Sequence, residues 1–183
     1  MRVVAGSLRS RNLKAPKGNH TRPTTDKVKG AIFNMLGQFF TGGIALDLYA
    51  GSGGLGIEAL SRGIEQCYFV DNNYQALQVV KDNLSTLKIE EQAQVFKKDA
   101  SQALQMFVES QQRFDLILLD PPYAKQKIAE QLAFIAEHQL LTATGTIVCE
   151  IDKDIQINIV EELEVVKEQN YGITKILVIK YKD

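Results

Sequence analysis

The sequence predicts an α/β protein built on a mostly parallel sheet, and three observations carry that expectation. From residue 44 onward, short apolar runs alternate with longer amphipathic stretches, the pattern of successive βα units. A glycine-rich turn joins the first run to its helix, and an acid stands at or just past the end of four runs. Two further β-like runs flank Asn170-Tyr171-Gly172, which adds an antiparallel hairpin to the end of the sheet.

The elements follow in order. Val3-Val4-Ala5, a turn at Gly6-Ser7, and Asn12-Leu13-Lys14-Ala15 predict a short basic hairpin, closed at Pro16-Lys17-Gly18-Asn19. Val28, Ile32, Met35, Leu36 and Phe39 recur at helical spacing, with Thr or Asp as N-cap and an end at Gly42-Gly43. Strands are expected at 44–48, 67–71, 93–97, 114–119 and 145–150, with helices at 54–63, 73–87, 100–109 and 126–138. Leu163 to Glu168 and Ile173 to Lys180 form the closing hairpin.

The length of 183 residues suits one domain: a basic hairpin extension over 1–24 and a core over 25–183. No stretch reaches the roughly 20 apolar residues of a bilayer span, and the first residues lack the apolar core of a signal peptide, so a cytoplasmic location is expected. Cys67 and Cys149 have neither a Cys-x-x-Cys partner nor a nearby His, so no metal site is expected and both read as buried thiols. His20 and His138 pair with no Ser or Cys in a nucleophilic arrangement, and His138 reads as a helix-end residue.

The formal net charge of -1 conceals an asymmetry. Residues 1–30 hold eight basic side chains (Arg2, Arg9, Arg11, Lys14, Lys17, Arg22, Lys27, Lys29) against Asp26 alone, while the other 153 hold 13 basic and 21 acidic. A basic arm on an acidic body is the pattern expected of a face that meets phosphate, and equally of a solvated hairpin that keeps the protein soluble.

The run Ile44-Ala45-Leu46-Asp47-Leu48 leads into Tyr49-Ala50-Gly51-Ser52-Gly53-Gly54-Leu55-Gly56 and then a helix. Gly51, Gly53 and Gly56 match G-x-G-x-x-G in its strand-turn-helix setting, where absent side chains let a nucleotide-like cofactor approach the backbone. Asp71, followed by Asn72, lies 20 residues beyond Gly51, placed to accept from ribose hydroxyls. Asp47 adds negative charge where a pyrophosphate is unwelcome but a sulfonium is not, which favours S-adenosylmethionine over a dinucleotide. Asp99-Ala100 closes the third run and is placed to hold an adenine amine, although an Asp there is also a good helix N-cap.

Asp120-Pro121-Pro122-Tyr123 is the most specific signal. Two prolines stop the strand and hold an extended backbone whose Pro121 carbonyl has no ladder to join. An exocyclic base amine is a poor nucleophile because its lone pair is delocalised into the ring. If the Asp120 carboxylate and the Pro121 carbonyl accept its two N–H bonds, they favour the tetrahedral nitrogen that attacks a methyl group. Tyr123 is placed to stack on the base, which must leave its own stack to arrive there.

Together with Arg2-Val3-Val4-Ala5-Gly6, Arg11, Arg22-Pro23-Thr24-Thr25-Asp26-Lys27-Val28-Lys29 and Glu58-Ala59-Leu60-Ser61-Arg62-Gly63, these motifs resemble the bacterial 16S ribosomal RNA guanine-N2 methyltransferases of the small subunit. The resemblance runs from Arg2 to about Lys180. It implies a Rossmann-like class I methyltransferase fold with a mostly parallel seven-stranded sheet, and S-adenosylmethionine as donor. The substrate it implies is a guanine N2 amine of 16S ribosomal RNA, naked or in a partly assembled small subunit. Arg2, Arg9, Arg11, Lys14 and Arg22 become the candidate RNA contacts, and a monomer is expected. Asp71 stands where relatives often carry Glu, and Gly30 where they usually carry a larger polar residue, at a cost of about 1 kcal/mol of helix propensity.

Three other readings compete. A DNA adenine-N6 methyltransferase shares the glycine loop and the Asp-Pro-Pro-Tyr, but generally needs an added module to read a groove, and only about 43 residues precede the strand that leads into the glycine loop. A non-catalytic RNA-binding assembly factor has no physical need for Gly51, Gly53, Asp71 and Asp120-Pro121-Pro122-Tyr123 together. An NAD-dependent oxidoreductase leaves Asp47 and the Pro-Pro segment unexplained.

Overall fold

A computed structural model describes residues 1–17, 25–122 and 127–183. Gly18, Asn19, His20, Arg22, Pro23 and Thr24 lie outside the described residues, as does Tyr123. Among the described residues, five α-helices and seven strands follow one another: α1 (Asp26–Met35), β1 (Ile44–Asp47), α2 (Gly54–Ser61), β2 (Gln66–Asp71), α3 (Tyr74–Leu87), β3 (Ala93–Lys97), α4 (Ala100–Glu109), β4 (Phe114–Leu119), α5 (Ile128–Glu137), β5 (Leu141–Asp152), β6 (Leu163–Tyr171) and β7 (Thr174–Tyr181).

The strands form one sheet in the order β3-β2-β1-β4-β5-β7-β6. The pairs from β3 to β5 are parallel, and β7 runs antiparallel to both β5 and β6. The chain therefore builds outward from β1 through β2 to β3, then returns to the other side of β1 with β4. That reversal leaves a crevice at the carboxyl ends of β1 and β4, where open α/β sheets bind ligands.

Alternation along the central strands supplies two cores. In β4, Leu116 and Leu118 join Ile32, Ile57, Leu60, Val80 and Leu84 on the side of α1, α2 and α3. Ile117 and Leu119 join Leu104, Phe107, Leu132 and Ile135 on the side of α4 and α5. Both faces are covered, which is why these strands read as continuous apolar runs. Cys67 and Cys149 are buried and free, and burial pushes the Cys149 thiol up to about 12. Among the described residues, no helix is long and apolar enough to cross a membrane.

Differences from the expected elements have local causes. Helix α1 stops at Met35 rather than at Gly42-Gly43 because Gly37 takes φ +92, and the next turn closes with Gly37 N–H to Asn34 O (3.3 Å) and Gln38 N–H to Phe33 O (2.8 Å). This is the paired C-cap that a glycine in the left-handed region permits. Strand β5 begins four residues earlier than expected, at Leu141, where it pairs with Phe114 across a register shift. The N-terminal hairpin holds a single antiparallel bridge, Arg2 to Asn12, and the N–H groups of Val4, Ala5, Leu8 and Lys14 turn instead to side chains of the body.

A methyl group at Gly30 would meet only Val4 Cγ1, at 3.8 Å, an ordinary contact. Gly30→Ala is therefore expected to stabilise the protein by about 0.5–1 kcal/mol through helix propensity. Urea denaturation checks this, and a midpoint at or below that of the parent would show that Val4 resists the added group.

Candidate functional site

A cavity of about 810 Å³ opens at the carboxyl ends of β1 and β4. Its wall brings together Asp47, Ala50, Gly51 and Ser52 from the first loop, Asp71 and Asn72 from the end of β2, Asp99 and Ala100 from the start of α4, and Asp120, Pro121 and Pro122 from the end of β4. Eleven residues expected from sequence to form a site thus share one space.

The glycine loop divides its labour. Gly51 has φ +56, and a Cβ built there would meet no protein atom within 4 Å, so the space beside it belongs to the cavity. Gly53, also left-handed, is the N-cap of α2. Gly56 lies behind the wall: a Cβ there would sit 2.4 Å from the Phe69 ring and 2.8 Å from Cys67 Sγ. Its role is close packing of α2 on β2, and its N–H donates to Asp47 Oδ2 at 3.0 Å.

The acids are engaged as well as placed. Asp71 accepts from the Gly51 N–H and the Asn73 N–H, each at 2.9 Å, which fixes the loop and leaves further lone pairs toward the cavity. Asp99 is the N-cap of α4, accepting from the Gln102 N–H at 2.8 Å, while also lining the cavity. The N-cap reading of Asp99 holds, and the same residue borders the cavity.

Asp47 differs most from its expectation. It is 1% exposed, and burial raises its carboxyl to about 7, against the Gly56 N–H, with Asp71 adding to the rise. At neutral pH it is a conditional charge rather than the fixed one the sequence suggests. It completes its ionisation only where a cation arrives or the pH rises.

Sequence reasoning missed the support beneath this wall. Glu58 is fully buried and accepts from Val4 N–H (2.8 Å), Ala5 N–H (3.0 Å) and Arg62 Nε (2.7 Å), with Lys29 Nζ at 3.7 Å. Lys29, counted above among the basic residues of the arm, is buried, donates to the Arg2 carbonyl, and borders the cavity. Burial lowers its pKa against the opposing pull of Glu58 and Asp26. The spacing of Glu58 and Arg62, four apart on one helix, was the one signal in the sequence that could have found this cluster.

The described residues of the basic arm face outward: Arg2, Arg9, Arg11 and Lys14 are all exposed. Arg2 pairs with Asp26 at 3.6 Å and Lys14 with Asp82 at 3.7 Å, while Arg11 donates to the Thr86 carbonyl at 3.3 Å. Such exposed contacts are weak and leave the cations free to meet phosphate.

Comparison with known proteins places these features in a wider set. Residues 1–180 match the family described as "Conserved hypothetical protein 95". Over 181 residues the chain is 49% identical to a Bacillus subtilis protein, provisionally named rRNA methyltransferase YlbH, across 98% of each chain. It is 33% identical over 174 residues to ribosomal RNA small subunit methyltransferase D of Haemophilus influenzae, covering 94% of this chain and 90% of that one. A crystal structure from Haemophilus influenzae, provisionally described as a methylase, superposes with a TM-score of 0.79 at 32% identity, over 100% of this chain and 98% of the other.

The shifted Asp47 yields a pH test. Between about pH 4 and 7 the folded protein holds a proton that the unfolded chain has released, so this group's contribution to stability falls as pH rises through that window. A shift from 3.8 to about 7 corresponds to a penalty on the order of 4 kcal/mol above it. Asp47→Asn should therefore gain stability relative to the parent as pH rises from 5 to 8. Urea midpoints whose difference is the same at both pH values would show that Asp47 ionises normally in the fold.

Proposed function

The chain belongs to the family described as "Conserved hypothetical protein 95", and on that premise we propose that it transfers a methyl group from S-adenosylmethionine to the exocyclic N2 amine of a guanine in 16S ribosomal RNA. The observation that carries this reading is the convergence of Asp120-Pro121-Pro122 with the Gly51 loop, Asp71 and Asp99 on one cavity. The names of its relatives support ribosomal RNA as the substrate class, and Asp120 supports a base amine as the acceptor.

The residues present suit this cofactor. Asp71 offers lone pairs to ribose hydroxyls, Asp99 to an adenine amine, and the open side of Gly51 admits a ligand to van der Waals distance of the backbone. Asp47 matches a cationic ligand, since a nearby positive charge favours its ionised form. A volume of about 810 Å³ leaves room for a flipped base beside a nucleoside-sized ligand. When bound, the cofactor supplies an electrophilic methyl carbon on a sulfonium that departs as a neutral thioether.

The chain's own part is to hold and orient the amine. Asp120 and the Pro121 carbonyl accept its two N–H bonds, turn its lone pair out of conjugation, and stabilise the positive charge that grows on nitrogen as the N–C bond forms. The surplus proton then passes from the nitrogen along its hydrogen bond to the Asp120 carboxylate and from there to water. No general acid is needed for the thioether, so positioning supplies much of the rate. The arm, whose Met1 and Pro16 border the cavity, carries exposed cations that give an RNA backbone its footing.

Two experiments test this. Labelled methyl transfer to 16S ribosomal RNA, naked and in partly assembled small subunits, should yield N2-methylguanosine, whereas methyladenosine would turn the reading toward an adenine substrate. In the same assay Asp120→Ala should lose on the order of a hundredfold or more in rate while keeping its affinity for S-adenosylhomocysteine, and a parental rate would remove Asp120 from the chemistry. Replacing Arg9, Arg11 and Lys14 together by Ala should weaken RNA binding and reduce the slope of log affinity against log salt by about 2 to 3. An unchanged slope would return the arm to a solubility role.

A further inference from the structure

Among the described residues, one buried side-chain polar atom has no hydrogen-bond partner: Oε1 of Gln131. Gln131 stands near the start of α5 and is 4% exposed. Its other end is engaged, with Nε2 donating to Tyr49 Oη at 2.6 Å. Both residues border the cavity. Tyr49 packs into the apolar cluster between α4 and α5, which Ala100 also joins. Burial raises its phenol pKa, the Gln131 bond opposes that rise, and the charge of Asp99 adds to it, so Asp99 is electrostatically close.

Leaving a buried acceptor unmade destabilises a fold, and a leucine would fill similar space without that penalty. Exchanging the two ends of the amide does not help. The Tyr49 hydroxyl would then donate to Oε1, and the amide nitrogen would become the buried group without a partner. In either orientation the pair carries hydrogen-bonding capacity that the protein does not meet. A buried polar group left open in this way calls for a functional account, and here the pair borders a cavity in which a bound molecule can complete its bonding.

We infer that Tyr49 and Gln131 form the specificity element for the adenine of S-adenosylmethionine, completing with Asp99 the groups that read its amino edge. This rests on the cofactor reading above. The amino edge of adenine carries two N–H donors on N6 beside the ring acceptors N1 and N7. Asp99 offers one acceptor to the amine and Gln131 Oε1 offers the second. The Tyr49 hydroxyl proton, unused in its bond from Gln131, is left for a ring nitrogen. The position of the pair on the α4 and α5 side, next to Asp99-Ala100, assigns it to the cofactor's base rather than to the base held by Asp120.

The test is the affinity of the full chain, by calorimetry, for S-adenosylhomocysteine and for S-inosylhomocysteine, in which the amine is an oxygen and N1 carries a proton. The parent should prefer the adenosyl compound. Gln131→Leu should lose about three- to tenfold in adenosyl affinity, the worth of one hydrogen bond, with little change for the inosyl compound. Its ligand-free melting temperature should equal or exceed that of the parent, because an unmet buried group has been removed. Tyr49→Phe should reduce the same preference without unfolding the protein. Parental affinities and preference in Gln131→Leu would overturn the inference and point the pair at the target base instead. Equal loss for both compounds with a lowered melting temperature would reduce Gln131 to a support for the fold. A parent that binds neither compound would overturn the inference together with the cofactor reading beneath it.

Discussion

The carboxylate of Glu58 lies inside the protein with no exposure, and a charge in that position persists only while its partners stay in place. Those partners come from three separate parts of the chain: the backbone of Val4 and Ala5, Lys29 on α1, and Arg62 one turn further along α2. If the arm leaves, two N–H bonds go with it and the carboxylate is stranded with an incomplete shell. Removing one partner of a buried ion pair typically costs about 3–5 kcal/mol, a large share of the stability of a domain this size. The first residues of the chain are therefore held to α2 much as a strand is held in a sheet.

That constraint reaches the site through α2, whose N-terminus is the end of the glycine loop. A second link runs in parallel. The Asn83 amide accepts from Lys14 N–H at 2.8 Å and donates to the carbonyls of Lys14 (3.1 Å) and Ser52 (3.0 Å), so one side chain joins the basic arm to the loop that lines the cavity. Ser61 adds a third, donating to the Ala5 carbonyl at 2.6 Å while its own backbone carbonyl accepts from Ser7 N–H at 2.8 Å. The proposed RNA surface and the proposed cofactor loop are thereby held in one frame. Transfer between two bound molecules requires this, because misplacement by about 1 Å costs rate steeply.

The sheet and its helices were legible in the sequence because their signals are local and strong. Apolar runs of five or six residues, set off by Gly-Gly, by Asp and by Pro-Pro, placed the expected limits of β1 to β4 within about a residue of those observed. The end of α1 was missed because the apolar spacing continues through Phe39, and Gly37 was passed over as a stop although its left-handed φ is what ends the helix. The site was legible as a set of residue types at strand ends, since topology alone brings such ends together. What escaped was everything that depends on contacts between distant segments. Nothing in the local pattern distinguishes Lys29, buried against Glu58, from the exposed Arg9 or Arg11 of the same basic stretch. Gln131 reads as an ordinary polar residue of an amphipathic helix until Tyr49, 82 positions away, is seen to reach it.

The same limit applies to charge. Reading Asp47 as a fixed negative group beside the loop favours a cation over a phosphate, but by an incomplete argument. A fully buried carboxylate near pKa 7 exerts only part of its field in the empty cavity. Approach of a positive ligand draws its proton off, so the attraction strengthens as the ligand arrives, and binding near neutral pH releases a fraction of a proton. A phosphate meets the opposite response, because its approach raises the Asp47 pKa further and holds the proton in place. On the proposed cofactor reading, discrimination between a sulfonium and a phosphate comes from the difference between those two responses, which burial of Asp47 behind Gly56 brings near neutral pH.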